Sequence, residues 1–180
     1  MQQKCVFSGS GGQGTVLLAK LVCQAAIASC LKVVMTQSYG IEQRGGDSTA
    51  YVVVSADAVG NPLVEGDGTI GVALSPSTYA LCLEQMGGYG TLFYNSSLIK
   101  EMKSAGPLKQ VAIPGSEMAI EAAGSVRGLN LVMLGAMVAD GAFLRPDVVE
   151  SVLRDSIGTK KPTLLESNLA AFRAGLNFAK

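Results

Sequence analysis

The sequence predicts an α/β fold, a mainly parallel sheet with helices on both faces and a helical C-terminal part. Three observations carry that prediction. Short apolar or β-branched runs alternate with helix-length segments through residue 113, the pattern of parallel strands joined by crossover helices. A glycine-rich turn separates the first strand from the first helix. Beyond residue 113 the segments read as helices, expected to pack across the sheet or extend from it.

The first strand is expected at residues 4–7, followed by the turn Ser8-Gly9-Ser10-Gly11-Gly12-Gln13-Gly14. Residues 15–29 are rich in Ala, Leu and Val and contain neither Pro nor Gly, which predicts a helix. The β-branched run 32–36 predicts a second strand, and a polar, glycine-bearing loop then leads to a third at 49–55. Two more strands are expected at 70–74 and 91–94. Between them a helix over 76–86 opens on Pro76, a residue suited to a first helical turn. A short sixth strand falls at 111–113, and helices follow at 116–123, 129–139, 146–157 and 164–179. With 180 residues and no internal repeat or low-complexity linker, one domain over 1–180 is expected, with the sheet core in 1–113 and a mostly helical part in 114–180.

Composition narrows the function classes. The 14 Lys and Arg balance 14 Asp and Glu, and no basic run occurs, which argues against nucleic acid, where clustered cations must neutralise phosphates. There is no histidine, so Ser-His-Asp hydrolysis, imidazole proton shuttling and His-ligated zinc are excluded. Cys5, Cys23, Cys30 and Cys82 form no C-x-x-C pair. Scattered thiols of this kind read as buried small hydrophobes rather than metal or cluster ligands. No signal peptide is expected, since Met1-Gln2-Gln3-Lys4 runs straight into an apolar strand. Nor does any run approach the roughly 18 apolar residues of a membrane span, so a cytoplasmic protein is expected. Charged residues make up only 16%, leaving little polar material to cover the surface. In 16–28 the one charge is Lys20, and 129–139 has none. Such helices are either deeply buried or lie in a subunit interface, and exposed apolar faces would let the isolated chain self-associate.

Gly9-Ser10-Gly11-Gly12-Gln13-Gly14 satisfies G-x-G-x-x-G after a strand and at the start of a helix, the Rossmann-like setting. Glycines let the backbone turn sharply and approach a diphosphate, while the helix start presents unpaired N–H groups. A dinucleotide-binding chain then places an acid about 20 residues on for the ribose hydroxyls. Here no Asp or Glu occurs before Glu42, and no Gly-Lys-Ser/Thr follows the loop. The phosphate-gripping half of the fingerprint is present and the half that selects NAD is not. A tight turn without any ligand stays open as the bland reading.

A second constellation, Ser38-Tyr39-Gly40-Ile41-Glu42-Gln43-Arg44-Gly45-Gly46, follows the second strand. It is expected at the carboxyl ends of the strands, where open α/β sheets bind ligands. Arg44, followed by two glycines, can present its planar fork to a phosphate or carboxylate, and Tyr39 offers a stacking face. Glu42 can equally pair with Arg44 and only stiffen the loop.

The two motifs together resemble the gamma subunit, or gamma domain, of the 2-oxoacid:ferredoxin oxidoreductases, which act on pyruvate, 2-oxoglutarate, ketoisovalerate or indolepyruvate. The similarity continues through Asn61-Pro62-Leu63-Val64, residues 90–97, residues 114–119 and Asn130-Leu131-Val132-Met133-Leu134-Gly135-Ala136. It implies a Rossmann-like subunit rather than a complete enzyme. In such complexes, thiamine diphosphate with Mg2+ and the 4Fe-4S clusters lie in alpha, beta and delta parts. Electrons pass singly to ferredoxin, and the acyl group passes to coenzyme A. By the same resemblance the gamma part carries no catalytic residue and helps shape the coenzyme A site. The expected contacts are Gly9, Ser10, Gly11, Gly12, Gln13, Gly14, Tyr39, Gly40, Glu42, Arg44, Gly45 and Gly46. The alternatives are a stand-alone nucleotide-binding or NAD(P)-dependent enzyme, and a purely architectural subunit.

Overall fold

The computed structural model describes residues 2–39, 46–61, 63–141, 143–158 and 162–178, with the side chain of Tyr39 outside the description. Its elements run β1 Gln2–Ser10, α1 Thr15–Ala28, β2 Lys32–Tyr39, β3 Asp47–Ser55, β4 Gly68–Ala73, α2 Pro76–Glu84, β5 Met86–Asn95, β6 Lys109–Ile113, α3 Gly115–Ala123, α4 Leu129–Ala139, α5 Pro146–Leu153 and α6 Pro162–Phe178. A 3-10 turn, Val126–Gly128, leads into α4, and a π turn, Arg154–Gly158, ends α5.

The strands form one six-stranded sheet in the order β2-β3-β1-β4-β5-β6. The pairs β1–β4, β4–β5 and β5–β6 are parallel, whereas β3 runs antiparallel to both β1 and β2. The sheet is thus mostly parallel, as expected, with one insertion that the alternation of elements did not indicate. β2 and β3 form a hairpin, and β3 lies between β1 and β2. The chain entering β3 therefore stands beside the end of β1, with Ser10 paired to Asp47.

Alternation along the strands splits the core in two. Cys5 and Phe7 of β1, Val52 and Val54 of β3 and Val72 of β4 face a thick layer built from α1, α3, α4, α5 and α6. Val6, Val53, Ala73, Leu92 and Tyr94 face a thinner layer of α2 and the loops carrying Val64, Ile99 and Leu108. On that thin side Lys4 is buried, and its Nζ donates to the Leu63 carbonyl at 2.7 Å and to Asp67 at 2.5 Å. This pins the loop before β4 to the sheet.

α4 resolves the choice between interior and interface. Every residue from Leu129 to Val138 is buried, and α6 covers the helix. The two backbones touch where they cross: a Cβ on Gly135 would stand 2.1 Å from the Phe172 carbonyl oxygen, and one on Gly175 would stand 2.0 Å from that of Val132. In α1 the inward face is Leu18, Ala19, Leu21, Val22, Cys23, Ala25 and Ala26, while Leu17, Lys20, Gln24 and Ile27 line the solvent side.

Cys5, Cys23 and Cys82 are buried as expected, and burial holds the last two protonated, with pKa values pushed up to about 11 and about 12. Cys30 departs from the expectation and is exposed. It occupies the left-handed position, φ 60°, just past the end of α1. Its N–H donates to Ile27 and that of Leu31 to Ala26, both at 2.9 Å, the Schellman arrangement with cysteine where glycine is usual. No single helix among the described residues is long and apolar enough to cross a membrane.

Candidate functional site

The carboxyl ends of β1, β4, β5 and β6 bring together the glycine turn, residues 74–78, Asn95 and the start of α3. The expected glycine turn is built as follows. Past Ser10 the chain turns through Gly12 (φ 90°) and Gly14 (φ 80°) into α1, both in the left-handed region that favours glycine. Gln13 folds back over the turn, its Oε1 accepting from Ser10 N at 2.8 Å and its Nε2 donating to the Leu74 carbonyl at 3.4 Å. This leaves no room at Gly9, where a Cβ would lie 2.8 Å from Thr15 Oγ1, 2.9 Å from Gln13 Oε1 and 3.0 Å from Leu74 Cβ. Asn130, buried in the first turn of α4, donates to the Gly14 carbonyl at 3.3 Å. The turn is thereby fastened to β4 on one side and to α4 on the other.

Two of the helices that start at this edge, α1 and α2, begin differently. α1 has Gly14 at its cap position, no side-chain cap and no acidic residue in its first turn. Thr15 Oγ1, in that same turn, is buried without a hydrogen-bond partner among the described residues. α2, on the opposite face of the sheet, starts inside a hydroxyl cluster. Asp47 Oδ1 accepts from Ser10 Oγ at 3.1 Å and from Ser77 Oγ at 2.8 Å, while Ser75 Oγ lies 3.1 Å from Ser77 Oγ and 3.0 Å from Thr78 Oγ1. A carboxylate here complements the partial positive charge of a helix start.

Deeper in, Asn95 is fully buried and joins three elements. Its Nδ2 donates to the Leu74 carbonyl at 3.2 Å and to Ser116 Oγ at 3.0 Å, and its Oδ1 accepts from Ser116 N at 3.3 Å. Leu74, carrying bonds from both Gln13 and Asn95, couples the glycine turn to β5 and α3.

Of the residues singled out in the sequence, Gly9 to Gly14 come together at the end of β1. Gly46 joins them through its carbonyl, which accepts from Gly11 N at 3.0 Å. Tyr39 is the last residue of β2, paired with Ser48 across the hairpin, so the second constellation begins at this same edge. Gly40, Glu42, Arg44 and Gly45 lie outside the described residues. Sequence reasoning missed Asp47, Ser75, Ser77, Asn95, Ser116 and Asn130 as members of the edge. The available signal was Asp47 directly after Gly45-Gly46, and two asparagines set into the apolar runs 91–95 and 129–139. What the described residues of the edge offer chemically is hydrogen bonding: backbone N–H groups, rotatable hydroxyls and the Asp47 carboxylate. Among the described residues no group of three or more His, Cys, Asp or Glu side chains is placed to hold a metal ion.

Comparison with known proteins agrees with this architecture. Residues 4–178 match the family model described as pyruvate ferredoxin/flavodoxin oxidoreductase. The chain is 31% identical over 173 residues to the 2-oxoglutarate synthase subunit KorC of Archaeoglobus fulgidus, covering 96% of this chain and 86% of that one. It superposes on the crystal structure of the gamma subunit of a keto/oxoacid ferredoxin oxidoreductase from Geobacter sulfurreducens with a TM-score of 0.81 and 28% identity, covering 98% of both chains. It also shares its fold with a segment of the 2-oxoglutarate:ferredoxin oxidoreductase of Magnetococcus marinus, at a TM-score of 0.85 and 24% identity, covering 99% of this chain and 31% of that one. With a family match running from β1 to the end of α6, this chain belongs to the pyruvate ferredoxin/flavodoxin oxidoreductase family and is similar to its gamma subunits.

Proposed function

We propose that this chain is the gamma component of a cytoplasmic 2-oxoacid:ferredoxin oxidoreductase and acts there as a single domain that binds coenzyme A rather than as the seat of the redox chemistry. In such a complex thiamine diphosphate would supply the decarboxylation chemistry, 4Fe-4S clusters would carry electrons singly to ferredoxin, and coenzyme A would take the acyl group. Thiamine and Mg2+ go to the alpha and beta partners on the family resemblance alone. The clusters are assigned to beta and delta partners, because this chain's thiols do not fit cluster ligation. Three of the four are buried in the core, and the fourth stands alone in a turn.

The observation that carries the coenzyme A assignment is the convergence of the glycine turn, the open start of α1 and both arms of the β2–β3 hairpin at one edge. A diphosphate placed there meets helix N–H groups, and Tyr39 and Gly46, which bracket Arg44 in the sequence, stand at the same edge. The solved structure of the oxidoreductase from Magnetococcus marinus has 2-oxoglutarate, coenzyme A and succinyl-CoA bound, which supports coenzyme A as the ligand here.

The test is Arg44→Ala in the assembled complex. An Arg–phosphate hydrogen bond is worth about 1.5–3 kcal/mol, so the KM for coenzyme A should rise tenfold or more while decarboxylation without coenzyme A is unchanged. Equal loss in both half-reactions would remove the site from this edge. The competing stand-alone NAD(P) reading makes its own demand: NADP at 100 times its Kd should stabilise the isolated chain by about 2.7 kcal/mol. No thermal shift at millimolar NADP disposes of it.

A further inference from the structure

We infer that this edge binds its ligand with a fixed polarity. Anionic groups go to the start of α1, and uncharged hydrogen-bond donors go to a second subsite formed by Asp47 with Ser10 and Ser77. The inference rests on the coenzyme A reading and deepens it, because coenzyme A joins charged phosphates, the diphosphate and the ribose 3′-phosphate, to a donor-rich neutral part, the pantetheine arm with its hydroxyl and amides.

Topology supplies the acid that the sequence did not show. In a sheet whose first two strands are neighbours, the end of the second strand brings the ribose-binding acid beside the glycine turn. Here β3 takes that neighbouring place and runs the other way, so its first residue, Asp47, is paired with Ser10. An acid that looks displaced along the chain stands where the fingerprint needs it in space.

The hydrogen bonding says what this acid accepts. The hydroxyls of Ser10, Ser75, Ser77 and Thr78 each carry one proton, yet Ser10 Oγ alone lies within 3.2 Å of Asp47 Oδ1, Ser75 Oγ and Ser77 Oγ. Ser77 Oγ approaches Asp47, Ser10 and Ser75, and Ser75 Oγ also meets Thr78. A hydroxyl donates only once, so acceptor positions outnumber protons, and the cluster gains from a donor brought by a ligand. A phosphate brings only acceptors, and its charge would oppose Asp47. The start of α1 is the reverse case. It has neither a side-chain cap nor an acid, and the hydroxyl of Thr15, 2% exposed and without a partner among the described residues, lies inside the glycine turn, 2.8 Å from where a Cβ on Gly9 would stand. An anion settling on that helix end supplies the missing acceptor.

The experiment is calorimetric titration of the full chain, free and in its complex, with pyrophosphate, pantetheine, adenosine and coenzyme A. Asp47→Asn should weaken pantetheine tenfold or more and leave pyrophosphate unchanged or tighter; weakening of adenosine alone would assign the subsite to a ribose diol, which coenzyme A lacks, and would end the coenzyme A reading there. Thr15→Val should do the opposite. Ser77→Ala, whose thermal midpoint is expected to stay near the parent's, repeats the Asp47 result at smaller amplitude and covers the case in which the Asp47 variant folds poorly. If Asp47→Asn and Ser77→Ala leave both neutral fragments unaffected, or neither fragment binds, Asp47 is only a pin between β3 and α2 and the inference falls. If pantetheine or adenosine depends on Asp47 while intact coenzyme A does not bind, the coenzyme A reading fails and the donor subsite survives. If coenzyme A binds tightly and is indifferent to Asp47, the reverse holds.

Discussion

Two regions of this protein depend on glycine, for opposite reasons. In the turn between β1 and α1, glycine supplies conformation: a Cβ on Gly12 would meet nothing within 4 Å, and only its φ of 90° calls for glycine. At the crossing of α4 and α6, Gly135 and Gly175 have ordinary helical backbones, and what they supply is the absence of an atom. Each leaves room for a carbonyl oxygen of the other helix at about 2 Å from where a Cβ would be. The first region is left open for something else to approach; the second is closed by the chain itself. Glycine in a sequence marks both equally, and only the packing tells a ligand-facing turn from an internal weld.

The sharpest way to break that comparison is Gly175→Ala. Backbone atoms cannot swing aside as a side chain can, so α6 must lift from α4 at a cost of about 3 kcal/mol or more. For a chain of this size that lowers Tm by roughly 6–12 °C. Gly135→Ala should do the same, and the pair together should cost less than the sum, since one separation relieves both clashes. Next comes Gly14→Ala, where a φ of 80° combines with an Asn130 Nδ2 only 2.5 Å from the new methyl. About 2 kcal/mol is expected by thermal or urea unfolding. Gly12→Ala should cost about 1 kcal/mol of strain. If Gly12→Ala proves as damaging as Gly175→Ala, the turn is not the open structure described.

The smallest effect lies in the pH dependence. Asp67 is held below its ordinary carboxylate pKa chiefly by the hydrogen bond from Lys4, and Glu150 chiefly by that from Arg173, which bonds both its oxygens at 2.8 and 2.6 Å. Both are lowered in the folded state, so their stabilisation is complete above the unfolded carboxylate pKa, near 4, and is lost as the pH falls through the lower folded values. Asp67 is half exposed and Glu150 partly exposed, so solvent screens both pairs and the loss is shallow. The glycine crossing contains no titrating group. Gly175→Ala should therefore shift the whole curve of stability against pH downward without changing its shape, and a change of shape would show that α6 had repacked around Glu150.

Much of this could be read from the sequence where local chemistry decides. The boundaries of α4 are those its apolar run implies, and Pro76 and Pro146 open α2 and α5 as expected. Where a neighbour decides, the reading fell short. β5 begins at Met86 rather than near residue 91, because Gly87 and Gly90 pass so close to β4 that a Cβ on Gly90 would lie 2.7 Å from the Gly68 carbonyl oxygen. Helix 146–157 is cut at Leu153 by a π turn. The insertion of β3 between β1 and β2 leaves no mark on residues 49–55, whose alternation suits either neighbour. Asp47 looked like loop filling for the same reason: its partner Ser10 is 37 residues away, and pairing at that distance belongs to the sheet rather than to any local pattern. For Arg44 and Glu42 the sequence argument still stands alone.

The covering of α4 by α6 also has a consequence in time. A ribosome delivers β1 through α4 first, and until Pro162–Phe178 has been made, the most apolar helix of the chain has its outer face uncovered. Folding of the thick layer therefore waits on a late segment, and the nascent protein passes through an interval in which α4 is a target for chaperones or for other copies of itself. The order in which this molecule is synthesised thus sets when it becomes safe from aggregation.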